Sequence, residues 1–269
     1  GLKTALLEKD DFAFGTSSRS TKLIHGGLRY LKQLEFGLVK EVGSERAIVH
    51  ALAPHLVLAE KMLLPLREKR GFGSLLTSFG LKLYDWLAGV KEADQRKMLT
   101  RNQTIKAEPL LDPKAIKGGG LYAEYRTDDA RLTLEIIKKA VEQGCDILNY
   151  VEVKNLRYTD KKISGICGYD FFEDQSIEVK AKAIVNATGP WVDELRELDG
   201  SKKGKTLHLT KGVHVVVDRT KFPIQQSIYF DIPDGRMIFA IPRNNITYIG
   251  TTDTNYHANK DDVFATKED

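Results

Sequence analysis

The sequence has few of the features that mark several special classes of protein. It contains 2 Cys, Cys145 and Cys167, and neither has a second Cys or His beside it at ligand spacing, which excludes a disulfide framework and argues against a metal site. No apolar run of about 18 residues is present and the first residues do not form a secretory signal, so we expect neither a spanning helix nor a signal peptide. The 22 Gly and 8 Pro among 269 residues exclude collagen and low-complexity disorder.

An excess of charge of one sign is also lacking. The 41 Lys and Arg stand against 37 Asp and Glu, and a net charge of +4 is too small to predict binding to nucleic acid. With 42% hydrophobic residues, the sequence predicts a globular protein of one large domain or two smaller ones. The chain begins with Gly1 and ends directly after a strand-like run, so we expect it to be a piece of a longer protein.

The first residues fit half of a dinucleotide-binding unit. A short buried strand is predicted at residues 4–7, and Glu8 follows at its carboxyl end. In dinucleotide-binding units an acid at this point accepts hydrogen bonds from the ribose hydroxyls. The Gly-rich phosphate turn would then lie just upstream of Gly1, and an exposed Glu at a strand end stays open as the alternative.

Hydroxyl residues and glycines dominate the next segment. Five hydroxyl residues lie within the six positions 16–21, and His25-Gly26-Gly27 follows. Such a run suits a loop that offers hydroxyl and backbone N–H groups to a pyrophosphate and lets the backbone approach a flat ring. An apolar strand is predicted over 183–189, and its small residues at 187–189 would let phosphates approach closely.

Apolar periodicity predicts the remaining elements. Helices are predicted in the region 32–65, stopped by Pro54, and at 75–87, 103–109 and from Asp128 to Gly144. The glycines at 118–120 predict a bend before a strand at 121–125, strands at 147–153, 162–169 and 176–181 predict a three-stranded meander, and residues 206–254 predict an antiparallel sheet.

Four segments carry a resemblance to a known family. They are residues 8–12 (Glu-Lys-Asp-Asp-Phe), 15–31 (the Ser-rich run ending in Lys-Leu-Ile-His-Gly-Gly-Leu-Arg-Tyr-Leu), 186–191 (Asn-Ala-Thr-Gly-Pro-Trp) and 250–253 (Gly-Thr-Thr-Asp). In this order and at this spacing the chain resembles the FAD-dependent (aerobic, respiratory) glycerol-3-phosphate dehydrogenases over essentially its whole length. The run at 15–31 is the most specific of the four.

The resemblance implies an α/β fold with two parts. One is a truncated FAD/NAD(P)-binding Rossmann-like domain of the glutathione-reductase/D-amino-acid-oxidase type, predicted at 1–53 and 121–200, which lacks its N-terminal Gly-rich strand-turn-helix and its C-terminal part. The other is an antiparallel β-sheet substrate or cap domain with helices, predicted at 54–120 and 201–269.

FAD is the cofactor that the resemblance implies, and no metal is predicted. The predicted FAD-binding residues are Glu8, Thr16, Ser17, Ser18, Lys22, Leu23, His25, Gly26, Gly27, Val153, Ala187, Thr188, Gly189 and Trp191. Val153 lies where the family's backbone meets adenine, and we expect His25 to pack beside the flavin rather than to act as a base.

Oxidising a secondary alcohol with a flavin needs a base for the hydroxyl proton and cations for a phosphate. The candidate bases are His25, His55, His208 and His214. His214 is preferred because the family carries Lys-Gly-x-His at this strand, and a histidine satisfied inside the sheet is the alternative. The resemblance places Arg29, Tyr30 and Lys211 as substrate-binding residues and Arg236 as a second catalytic residue.

The resemblance implies oxidation of sn-glycerol 3-phosphate at C2 to dihydroxyacetone phosphate by hydride transfer to FAD, with the electrons passed to membrane quinone in glycerol catabolism. The alternatives are an α-glycerophosphate oxidase that uses O2 and releases H2O2, another amine or amino-acid oxidase of the same superfamily, and a fragment without activity of its own. We expect a cytoplasmic protein associated peripherally with the inner face of the cell membrane, with no nucleic-acid partner, and a homodimer is left open.

Overall fold

A computed structural model of the chain describes residues 1–25, 35–67, 82–83, 95–232 and 235–269. Within these ranges the chain is mixed α/β and divides into two compact units. Unit 1 comprises Gly1–Ser20, Asp129–Lys211 and Thr254–Glu268, and unit 2 comprises Thr21–Asp128, Gly212–Asp253 and Asp269.

The two units are built from short helices and many strands. In chain order the described strands are β1 (Ala5–Leu7), β2 (Leu23–Ile24), β3 (Leu58–Arg67), β4 (Lys97–Thr100), β5 (Ile116–Arg126), β6 (Asp146–Leu148), β7 (Val151–Thr159), β8 (Lys162–Asp170), β9 (Gln175–Lys180), β10 (Thr210–Lys211), β11 (His214–Asp218), β12 (Ser227–Asp231), β13 (Met237–Arg243), β14 (Ile246–Gly250) and β15 (Thr254–Asn255). The described helices are α1 (Phe36–Leu52), α2 (Arg101–Ala107), α3 (Asp129–Glu142) and α4 (Val192–Leu198), with short 3-10 helices at Thr16–Ser18 and Gly189–Trp191. None of these helices is long and apolar enough to cross a membrane.

Unit 2 is organised around one large sheet. Its described strands pair in the order β11-β14-β13-β12-β3-β5-β2, and β4 also pairs with β5. The strands β11 to β14 pair in an antiparallel manner, as predicted for 206–254, but the sheet is mixed because β12 runs parallel to β3.

The core of unit 2 lies against this sheet. Val39 of α1 is fully buried and packs in one cluster with Met62, Tyr122 and Tyr229, which come from β3, β5 and β12. Met62 is aligned with Tyr122 and with Ser227, two residues before Tyr229, so these three side chains of the cluster lie on the same face of the sheet, where α1 supplies their partner. Four segments that are distant in sequence thus share one core.

A pair of opposite charges is buried in the same unit. The Arg46 Nη1 atom lies 2.8 Å from the Glu124 Oε2 atom, and the two side chains are only 2% and 3% exposed. The guanidinium also lies over the ring of Tyr125, 4.8 Å from its centre. Each charge therefore has a partner that compensates for its removal from water.

Unit 1 consists of two smaller sheets, a strand pair and the helices α3 and α4. The strands β1 and β6 pair in parallel, β7, β8 and β9 form an antiparallel meander, and β10 pairs with β15. The meander confirms the prediction, except that the predicted strand 147–153 is divided between β6 and β7. The short strand predicted before Glu8 is confirmed as β1, but its predicted burial is wrong, because Leu6 is 41% exposed among the described residues.

Two predictions in the region 32–125 are wrong. Helix α1 ends at Leu52, close to Pro54 as predicted, but residues 58–65, which were included in the predicted helical region, belong to the strand β3. Antiparallel pairing with β5, regular from Leu58 to Leu66 and shifted before Arg67, stabilises this strand. The glycines at 118–120 do not bend the chain but lie inside β5, where a Cβ on Gly118 would come within 2.8 Å of the Leu99 carbonyl oxygen.

Other predictions gave mixed results. Helix α2 is confirmed, and it begins at a capping box in which Thr100 and Gln103 exchange hydrogen bonds. Helix α3 is confirmed as well. The strand predicted at 183–189 is wrong, because no strand within the described ranges pairs with it. The helix predicted at 75–87 lies outside the described residues apart from 82–83.

The division into units differs from the predicted domain boundaries. Residues 21–53 and 121–128, predicted as part of the FAD-binding domain, belong to unit 2. The physical reason is strand pairing, since β2 joins the large sheet through β5. Residues 201–211 and 254–268, predicted as part of the substrate domain, belong to unit 1. Which unit binds cofactor and which binds substrate stays a prediction.

Candidate functional site

His214, the predicted base, is the first residue of β11 in unit 2. The register aligns it with Gly250 of β14, and Gly250 in turn with Phe239 of β13 and then Tyr229 of β12. Residues that are aligned in this way lie on the same face of a sheet. His214 therefore lies at one end of a row of four aligned residues. The others are Gly250, which has no side chain, and the aromatic residues Phe239 and Tyr229.

The glycine in this row leaves room for the histidine. A Cβ on Gly250 would lie 2.5 Å from the His214 Cδ2 atom and 2.9 Å from Cγ, distances that real Cβ atoms do not adopt. The ring of His214 thus packs directly over the backbone of β14.

A hydroxyl group also contacts this ring. The Thr21 Oγ1 atom lies 3.1 Å from the His214 Nε2 atom, and the Tyr248 hydroxyl donates a 2.9 Å hydrogen bond to the Thr21 carbonyl. The rings of His214 and Tyr248 meet edge to face, with their centres 6.0 Å apart. Thr21 and Tyr248 together fix the orientation of the imidazole.

The protonation of His214 follows from its surroundings. Burial, and then the positive charge of Lys22, lowers the pKa of His214 below its ordinary value. At neutral pH the ring is therefore largely uncharged, which is the state that a base needs before it accepts a proton.

The other predicted residues of unit 2 have different surroundings. Leu23 packs against the core cluster that contains Tyr122, and the carbonyl of Lys22 accepts a hydrogen bond from the Thr127 amide. The ring of His25 lies 5.7 Å from that of Phe239. The carbonyl of Arg236 accepts a hydrogen bond from the Ile232 amide beside the start of β13. Gly26, Gly27, Arg29 and Tyr30 lie outside the described residues.

In unit 1, Glu8 directly follows β1. Its amide donates to the Leu148 carbonyl and its carbonyl accepts from the Val151 amide, so the backbone is held from both sides. One carboxylate oxygen accepts a 3.0 Å hydrogen bond from the Asp10 amide. The carboxylate thus lies at the carboxyl end of a parallel strand, where a ribose-binding acid is expected.

The hydroxyl loop and the small-residue turn also belong to unit 1. Thr16, Ser17 and Ser18 form a single 3-10 turn. Ala187, Thr188 and Gly189 form an exposed turn, in which Gly189 has a φ of +53° and open space where a Cβ would point. Val153 lies within β7, paired with Gly168.

Trp191 is held by a polar cluster that the sequence did not reveal. The indole Nε1 donates a 3.1 Å hydrogen bond to Asp261, whose carboxylate also lies 2.6 Å from the Lys9 ammonium. Lys9 lies over the indole ring, 5.2 Å from its centre. The hydrogen bond from Lys9 holds the pKa of Asp261 below its usual range. The cluster joins parts of the chain too distant in sequence for any local pattern to predict it.

The remaining candidates are more open. Lys211 lies with its ammonium over the ring of Tyr256, 5.7 Å from its centre. His208 is exposed and contacts Asn255, and His55 is exposed as well. Of the four candidate bases, His214 is the one whose ring contacts the Thr21 hydroxyl and packs over Gly250. Sequence analysis missed Thr21 as a site residue, because it lies 193 positions from the histidine that it contacts.

Comparisons with known proteins identify the family to which the chain belongs. The family model described as FAD dependent oxidoreductase matches residues 1–269. The chain is similar to aerobic glycerol-3-phosphate dehydrogenases of Staphylococcus epidermidis, with 54% identity over 271 residues, covering 100% of this chain and 49% of the relative. That of Bacillus subtilis is 57% identical over 256 residues, covering 95% of this chain and 46% of the relative.

A solved structure agrees with these relatives. The glycerol-3-phosphate dehydrogenase from Bacillus halodurans complexed with FAD matches with a TM-score of 0.81 and 46% identity, covering 100% of this chain and 46% of that one. The fold class expected from the sequence is confirmed by this match. The chain spans about half the length of the curated relatives it matches.

Proposed function

The chain belongs to the FAD dependent oxidoreductase family, and from that membership we propose that the full-length protein oxidises sn-glycerol 3-phosphate at C2 to dihydroxyacetone phosphate. The similarity to aerobic glycerol-3-phosphate dehydrogenases supports the substrate. The single observation that carries the chemistry is the placement of His214, a histidine with a lowered pKa held over Gly250 and against Thr21.

The residues of unit 1 fit FAD. Glu8 offers a carboxylate at the end of a parallel strand, the Thr16–Ser18 turn offers hydroxyls, and Gly189 leaves its backbone open to a close ligand. These residues would hold the cofactor together with Val153, Ala187, Thr188 and Trp191. When bound, FAD supplies the acceptor for the hydride that leaves C2.

The chain's own residues supply the remaining chemistry. His214, neutral at physiological pH, accepts the proton of the C2 hydroxyl and so makes the carbinol carbon a better hydride donor. Arg29, Tyr30 and Lys211 are the groups proposed to bind the phosphate, because guanidinium and ammonium groups form charge-assisted hydrogen bonds with its oxygens and the phenol adds a hydroxyl. Arg236 is proposed as the second catalytic residue.

The test is anaerobic reduction of the flavin in the full-length protein. Glycerol 3-phosphate should bleach the flavin absorbance, and glycine should not. Bleaching by glycine alone would overturn the proposal in favour of an amino-acid oxidase.

We further propose membrane quinone as the electron acceptor and a cytoplasmic protein bound peripherally to the inner face of the cell membrane, as the resemblance implies. Turnover of the full-length enzyme should then need an added quinone analogue and should release little peroxide in air. Stoichiometric H2O2 without added acceptor would instead identify an α-glycerophosphate oxidase.

The location is tested by sedimentation: the native enzyme should sediment with membranes and should be released from them by high salt. The mass of the enzyme in solution tests whether it forms a homodimer.

A further inference from the structure

The contact between Thr21 and His214 distinguishes the two nitrogens of the imidazole. Nε2 lies 3.1 Å from the Thr21 hydroxyl oxygen. Among the described residues, Nδ1 has no hydrogen-bond partner. A neutral imidazole carries one N–H and one lone pair, so the bond at Nε2 decides which nitrogen is free to act.

We propose that Thr21 is a positioning residue, which accepts a hydrogen bond from Nε2–H of His214 and thereby leaves Nδ1 as the nitrogen that takes the substrate proton. This inference rests on the proposed function. In the proton transfer the O–H bond of the C2 hydroxyl breaks and the Nδ1–H bond forms, and the proton on Nε2 stays where it is.

The direction of the hydrogen bond between Thr21 and His214 is inferred from the proton that His214 accepts when it acts as a base. Once His214 has accepted a proton, both ring nitrogens are donors and each needs an acceptor. A threonine hydroxyl that accepts from Nε2–H keeps the same hydrogen bond before and after the proton transfer, whereas a hydroxyl that donates to Nε2 would leave Nδ1 protonated and unable to act as the base. An acceptor at Nε2 also stabilises the imidazolium that the reaction creates.

The elements around His214 restrict the ring to this orientation. Tyr248 fixes the backbone of Thr21 through its hydroxyl, and Gly250 gives the ring space on β14. Of the described charged groups, Lys22 is the one whose charge acts on His214, and it lowers the histidine's pKa. The hydroxyl of Thr21 has the opposite effect on the pKa of His214, because a hydrogen-bond acceptor at Nε2 favours the protonated ring.

Two variants of Thr21 in the full-length enzyme distinguish the effect of the hydroxyl group from the effect of the side-chain shape. Thr21→Val keeps the shape and removes the acceptor, whereas Thr21→Ser keeps the acceptor. We expect kcat/KM for glycerol 3-phosphate to fall roughly tenfold in Thr21→Val and to stay within about twofold in Thr21→Ser. The acid limb of the kcat/KM profile should move to lower pH in Thr21→Val only, because the imidazolium has lost its acceptor.

A second measurement does not depend on activity. Diethylpyrocarbonate modifies neutral imidazole, and its rate at His214, followed by peptide mass spectrometry against pH, gives the pKa of this residue. In Thr21→Val that pKa should fall by about half a unit or more, the value of one modest hydrogen bond. If glycerol 3-phosphate fails to reduce the flavin, the proposed function fails, while this profile still tests the contact.

If Thr21→Val does not fold, the variant Gly250→Ala provides an independent test of the same contact. The added Cβ should displace the ring from Thr21 and lower the modification pKa of His214, whereas Gly37→Ala, where a Cβ meets nothing within 4 Å, should leave it unchanged. A Thr21→Val or Gly250→Ala profile identical to that of the wild type would overturn the inference. So would a Thr21→Ser enzyme as impaired as Thr21→Val.

Discussion

The two units of this chain are stabilised in different ways. Most of the buried apolar side chains among the described residues belong to the sheet of unit 2 and the segments packed on it, whereas Ala13, Val151 and Ile166 are those from unit 1. Helix α3 of unit 1 leaves Ile136 63% exposed. Burial of apolar surface is the main favourable contribution to folding, so we expect unit 2 to be the more stable unit.

Charged groups follow the same division. Unit 2 buries the pair of Arg46 and Glu124, whereas the pair of Lys9 and Asp261 in unit 1 lies at the surface. The proposed base is in unit 2, where a packed sheet fixes its position within narrow limits. The predicted cofactor contacts of unit 1 come largely from loops and turns. Unit 2 thus carries the proposed base on a sheet with a buried core, whereas unit 1 carries proposed cofactor contacts on exposed turns.

Breaking the buried ion pair should have the largest effect on stability. Arg46→Met leaves the Glu124 carboxylate buried without its partner, and we expect the free energy of unfolding to fall by about 3–5 kcal/mol in urea titrations. Lys139→Ala, which breaks the exposed pair with Glu142, is the matched control and should leave the free energy of unfolding unchanged within the error of the titration. Equal losses in the two variants would contradict the contrast between the units.

An isoleucine in each unit tests the same contrast without charge. Ile228 of β12 is 4% exposed, so Ile228→Ala should cost about 2–5 kcal/mol through lost burial and a cavity. Ile136→Ala should cost about 0.5 kcal/mol or less, since the side chain is already in water. Thermal or urea unfolding measures both, and a costly Ile136→Ala would mean that α3 is packed against something in solution.

A smaller effect is expected from the Trp191 cluster at low pH. The pKa of Asp261 is lowered in the folded chain, so its contribution is present above the unfolded value of about 3.9 and is lost as the pH falls through the folded value. Trp191 fluorescence should therefore change below about pH 4 in a Trp86→Phe background. The change should be absent in Asp261→Asn, and a transition that persists there would assign it to another group.

Local sequence patterns predicted some of these features and missed others for physical reasons. The helix α3 depends on neighbouring residues and was predicted. The strand before Glu8 was predicted from its apolar residues, although its partner β6 is distant in sequence. The strand β3 was missed because its structure comes from pairing with β5, which no local periodicity records. His214 was selected through the resemblance in Lys-Gly-x-His, but its contacts with Thr21 and Gly250 arise only when distant strands meet.

The most direct test of the account compares one histidine from each unit. In the full-length enzyme, His214→Asn should slow reduction of bound flavin by glycerol 3-phosphate by about 10²–10⁴-fold, the usual contribution of a general base. His208→Asn, the matched change at an exposed histidine of unit 1, should leave the rate within about twofold of the wild type. An unchanged rate in His214→Asn, with flavin still bound, would contradict the assignment of the base to the sheet of unit 2.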